Sequence, residues 1–145
     1  MEQTYSYPSG SKYEGPINKD NNFEGQGKFY FHNNDIYEGY FVDDKFSKEG
    51  VYHYQNGDFY KGQFENDKFN GLGLFQYKDG TIFKGRFKDD LMIGKFINKD
   101  PDNKLYEVIF QNDRVVNSYS EITEESLSSG KYSKLGIISL ADLSV

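Results

Sequence analysis

Cysteine is absent from this 145-residue sequence, which excludes disulfide frameworks and thiolate zinc sites together. No run approaches the roughly 18 apolar residues of a membrane-spanning helix. The opening residues MEQTYSYPSG carry neither a basic nor an apolar segment, so no signal peptide is expected and the chain reads as soluble and intracellular. Positive charge is outweighed, with 17 Lys and Arg against 23 Asp and Glu. A net charge of -6 argues against nucleic acid and anionic membrane surfaces, both of which require dense basic patches. Histidine occurs only as His32 and His53, at non-equivalent positions without carboxylate or imidazole neighbours at ligand spacing. They read as exposed strand-end residues, so neither a metal site nor a catalytic site is expected. Aliphatic side chains are scarce too, so the apolar contacts must come from elsewhere.

They come from rings. Tyr and Phe number 13 each, with 15 Gly beside them. The stretch from Tyr60 to Phe87 contains an aromatic-x-Gly-x-Phe unit (Tyr60, Gly62, Phe64), a Gly-x-Gly pair (Gly71, Gly73), alternating Phe75 and Tyr77, and Asp79-Gly80. The opening unit then returns as Phe83, Gly85, Phe87. Starts at 13, 37, 60, 83 and, degenerately, 106 are separated by 24, 23, 23 and 23 residues, so the chain is an array of repeats. Residues 5–12 form a half repeat before the first start, and a truncated end unit is normal in a stacked array.

Within each unit apolar residues alternate with polar ones, the period of a β-strand. A glycine in a strand leaves a vacancy over the backbone into which a neighbouring ring can lie flat. Asn56-Gly57 and Asp79-Gly80 predict tight type I′ hairpins. Asp43-Asp44-Lys45, Asn66-Asp67-Lys68 and Asp89-Asp90-Leu91 predict longer polar connections. The expected fold is all-β: an elongated, single-layer antiparallel meander of about ten strands, built from stacked hairpin repeats.

The expected division is a repeat sheet over residues 1–119 and a tail over 120–145. Ser120 to Gly130 reads as a short helix with Ser120 as N-cap and Gly130 as its stop. Leu135 to Val145 is the most aliphatic segment and must dock, either on the sheet's last edge or groove, or on a partner or second copy. Ser118, Ser120, Ser126, Ser128 and Ser129 lie among acids, a pattern that fits phosphate acceptors and a solvated tail equally.

The repeating unit resembles the MORN (membrane occupation and recognition nexus) repeat over about residues 5–110, best at 37–59 and 60–82. Departures are the absence of Trp, Lys48 in place of a pair glycine, and worn last repeats. The resemblance implies an open sheet with an aromatic groove. It also implies a non-enzymatic, stand-alone adaptor that captures a helix or peptide in cytoskeletal, ciliary, flagellar or axonemal assemblies.

On that reading Tyr37, Phe41, Tyr60, Phe64, Phe83 and Phe87 line the partner-binding groove, with ring edges that one layer cannot bury on both sides. Val51, Leu72 and Leu74 mark a smaller patch on the opposite face. The alternative is a peripheral phosphoinositide-binding module using Lys61, Lys84, Arg86 and Lys88. No catalytic residue or cofactor is expected. The Asp pairs suit turns, the Gly-x-Gly pairs lead into no helix, and the twelfth position counted from Asp100 is Gln111, where a calcium loop needs Glu. Exposed edge strands leave a homodimer open.

Overall fold

In a computed structural model, which describes residues 2–144, the alternating stretches are strands of one antiparallel sheet. In chain order they are β1 (Glu2–Ser6), β2 (Lys12–Pro16), β3 (Gly25–Tyr30), β4 (Ile36–Val42), β5 (Lys45–His53) and β6 (Phe59–Glu65). They continue with β7 (Lys68–Gln76), β8 (Ile82–Lys88), β9 (Leu91–Lys99), β10 (Leu105–Gln111), β11 (Arg114–Val115) and β12 (Ser120–Ile122). Neighbours in sequence are neighbours in space from β1 to β11, and β12 also pairs with β10. The expected meander is what forms, with twelve strands among the described residues where the sequence suggested about ten.

The two turn classes are the reverse of expectation. Asp43-Asp44, Asn66-Asp67, Asp89-Asp90 and Asn112-Asp113 are two-residue turns in which both residues have positive φ, between 47° and 73°. That is the type I′ geometry, and Asp and Asn enter the left-handed region more readily than other side chains. At Asn56-Gly57 and Asp79-Gly80 only the glycine has positive φ. There the Gly57 N–H donates to the Tyr54 carbonyl and the Tyr54 N–H to the Asp58 carbonyl, a three-residue loop closed by a glycine bulge.

The core lies on one face of the sheet. Tyr13, Tyr37 and Tyr60 stack flat on Phe23, Phe46 and Phe69 at 3.7, 3.8 and 3.8 Å. Phe41, Phe64 and Phe87 meet these pairs edge-on. Each tyrosine ring lies over glycines: Tyr37 over Gly39 and Gly50, Tyr60 over Gly62 and Gly73. Each hydroxyl donates to a carbonyl three residues on, at Pro16, Tyr40 and Gln63, at 2.7–2.8 Å. In the fourth unit Phe96 replaces the second glycine and its ring covers Gly85 instead.

The tail builds a second, smaller core on the opposite face, where Leu127, Tyr132, Ile137 and Leu143 pack on Ile97 and Leu105. β12 covers part of the outer edge of β10, from Leu105 to Glu107. The aliphatic segment from Leu135, expected on the last edge, in the groove or on a partner, packs instead on the face opposite the rings, and only β12 reaches the edge. The helix α1 (Glu124–Ser128) is capped by Thr123, whose side chain accepts from the Ser126 N–H; Ser120 is drawn into β12 instead of capping. Gly130 follows the helix at φ 92°.

Candidate functional site

Along the ring face, two adjoining hollows of about 640 and 450 Å³ form a groove across the hairpins from β3 to β11. The repeat period generates its walls. Phe29 and Phe31, Tyr52 and Tyr54, Phe75 and Tyr77 occupy equivalent places at strand ends, on the same face as the glycine pairs. Successive rings of this tier touch in tilted pairs, Tyr52 with Tyr54 at 4.8 Å and Phe75 with Tyr77 at 5.0 Å. Tyr77 is 39% exposed and Tyr119 is 43% exposed at the far end.

The six rings expected to line the groove sit lower. Tyr37 and Tyr60 are 0% exposed and lie beneath it, locked by stacking and by their hydroxyl bonds. Phe41, Phe64, Phe83 and Phe87 contribute only buried edges to its floor. A single layer can enclose a ring because glycine lets it lie flat, so the other rings roof it. The accessible tier recurs with the same period in the sequence, at 52 and 54 and again at 75 and 77, a signal that the more prominent aromatic-x-Gly-x-Phe opener masked.

The opposite wall is acidic. Asp44, Asp67, Asp90 and Asp113 are the second residues of the four type I′ turns and stand at the groove's rim, exposed. The Oδ1 of each accepts from a backbone N–H of the preceding hairpin, at Phe23, Phe46, Phe69 and Met92, at 2.5–2.8 Å. The N–H of each aspartate donates back to the carbonyl of the same residue. This reciprocal clasp fixes the carboxylates in a row. On the ring side, the Tyr52 hydroxyl donates to Asp35 Oδ2 at 2.8 Å. Burial and then that bond push the Tyr52 hydroxyl far above its usual range. Burial and the nearby Asp90, Asp35 and Asp58 push Tyr54 up to about 12.

On the other face, Leu72 and Leu74 line a hollow against Gly136, Ala141 and Asp142 of the tail, so the tail occupies this expected patch; Val51 is half-buried on the same side. The basic strip is drawn into the same docking. Lys84 Nζ donates to the Gly136 and Asp142 carbonyl oxygens, both at 3.1 Å, and Arg86 to the Lys134 carbonyl at 3.4 Å. Lys61 and Lys88 remain exposed. The four cations do not form one free headgroup site, because two of them bind the tail's carbonyls.

The MORN repeat family model matches residues 19–36, 37–59 and 60–82. No curated protein sequence matches the chain. Among solved structures the chain is similar to the G-box domain of the microcephaly protein CPAP, at 16% identity over 74% of this chain and 58% of that one, with a TM-score of 0.51. It is also similar to the SAS-4 (dCPAP) TCP domain of Drosophila melanogaster, solved in complex with a proline-rich motif of Ana2. That match has 17% identity over 74% of this chain and 64% of that one, with a TM-score of 0.44. The chain thus spans less than two thirds of either, and what the first likeness shows is a shared fold.

Proposed function

Because the chain is a MORN-repeat protein, we propose that it is a non-enzymatic binding module that holds a peptide or helix of a protein partner along its aromatic groove. The observation that carries this reading is the division of the rings into two tiers. An enclosed tier builds the sheet, and a second tier at the strand ends stays partly open to solvent, with Tyr77 39% exposed and Tyr119 beside it 43% exposed. Exposed aromatic rows flanked by polar rims mark interaction surfaces. A cytoskeletal setting is proposed with it: the G-box domain that shares this fold carries a suggested role in centriole elongation. By family analogy the same binding role extends to ciliary, flagellar or axonemal assemblies.

Photo-crosslinking tests it. A benzophenone amino acid placed at Tyr77 should capture one partner segment in cells, and the same group at Glu38 on the opposite face should not. A synthetic peptide of that segment should compete, and Tyr54→Ala with Tyr77→Ala should abolish capture while the protein stays folded. Capture of the same partner from Glu38, or undiminished capture by the double variant, removes the groove from the function.

A further inference from the structure

The groove has chemistry as well as shape. Its hollows are lined by rings and by Asp44, Asp67, Asp90 and Asp113, with no Lys or Arg among the lining residues. Among the described residues the ion pairs run from Lys12 to Glu14 and from Lys95 and Lys131 to Glu107, so none engages this row. One oxygen of each carboxylate is committed to the backbone clasp, and the clasp prevents the row from turning away from the rim. Rings with negative π-faces opposite fixed carboxylates form a site complementary to cations.

The row also has a pitch. Successive aspartates lie two strands apart, about 9.6 Å at ~4.8 Å per strand. A polyproline-II segment returns to the same side every third residue after about 9.3 Å. A helix returns every seventh residue after about 10.5 Å. Over the three steps from Asp44 to Asp113 the accumulated mismatch is about 1 Å for the extended segment and about 3 Å for the helix. We propose that the occupant is an extended, basic segment of a partner protein, carrying lysine or arginine at every third residue so that each cation meets one aspartate of the row. This rests on the groove reading above and narrows it to one charge and one conformation.

The test is fluorescence anisotropy with the full chain and labelled proline-rich peptides of equal length: four Pro-Pro-Arg triplets, four Pro-Pro-Gln triplets, and a peptide with the arginines gathered at one end. The Pro-Pro-Arg probe should bind about tenfold or more tighter than either control and lose about tenfold in affinity from low to high salt. Asp67→Asn with Asp90→Asn keeps the amide oxygen that accepts the backbone N–H. That variant should remain folded and cost the Pro-Pro-Arg probe about tenfold, leaving Pro-Pro-Gln unchanged. Equal binding of the gathered-arginine peptide, indifference to the Asn substitutions, or no binding of the Pro-Pro-Arg probe overturns the proposal. If Pro-Pro-Gln binds equally well and is lost in Tyr54→Ala with Tyr77→Ala, the basic occupant falls and the groove stands. If Pro-Pro-Arg binding survives that ring variant, both fall.

Discussion

The ring of Tyr60 lies against the backbone of Gly73, in the space a β-carbon there would occupy. The ring cannot retreat, because it stacks on Phe69 at 3.8 Å and its hydroxyl is bonded to the Gln63 carbonyl oxygen at 2.8 Å. Gly73→Ala should therefore destabilise the protein by about 3 kcal/mol, the upper end for overpacking a rigid site. Thermal unfolding measures it, and a double-mutant cycle assigns the cause: most of the cost should vanish in a Tyr60→Ala background. An undiminished penalty there would place the clash elsewhere.

The fourth repeat solves the same packing problem with a different ring. Phe96 covers Gly85, and Phe83 shifts toward the groove against Phe110 at 5.7 Å. Phe96→Gly should cost about 3–5 kcal/mol by opening a cavity. Adding Phe83→Tyr should recover part of that loss, since positions 83 and 96 then carry the tyrosine and glycine of the second and third repeats, although Met92 stands where Phe46 and Phe69 stack. Denaturant midpoints of the single and double variants give the answer, and the expectation fails if the second substitution adds a further loss.

Lys48 sits at φ 56° where the corresponding residues of the other repeats, Gly25, Gly71 and Gly94, are glycines at positive φ. A left-handed lysine costs about 1–2 kcal/mol. Its ammonium, 4.2 Å from the centroid of the Tyr40 ring, returns about 0.5–1 kcal/mol. The strain wins, so Lys48→Gly should stabilise the protein by about 0.5–1 kcal/mol and raise Tm by about 2–4 °C. A lowered Tm would mean that the contact with Tyr40 outweighs the backbone strain.

Tail docking should weaken in acid. Burial alone would raise the Glu107 carboxyl, but the Tyr132 hydroxyl at 2.7 Å, with Lys95 and Lys131 beside it, outweighs burial and holds it below the ordinary 4.5. A carboxylate lowered in the native state adds stability above its unfolded value and loses it as pH falls through the native one. The stability difference between wild type and Glu107→Gln should be about 1.5–3 kcal/mol at neutral pH. It should shrink steadily below about pH 4.5, as read by urea unfolding across pH. A difference independent of pH would remove the charge from the account.

Period two within a period of about 23 residues and glycines facing rings were both legible in the amino-acid order. They determined an open antiparallel meander, because local alternation and repeat length depend only on neighbours along the chain. Tertiary structure decided three things that no local pattern holds. The Asp and Asn pairs took the I′ turns because the reciprocal clasp to the preceding hairpin fixes two residues at positive φ. The most regular rings were enclosed and the strand-end rings left open, because flat stacking over glycine depends on the strand beside it. The tail settled on the face opposite the groove because Ile97 and Leu105 meet its aliphatic residues there and Lys84 meets its carbonyls.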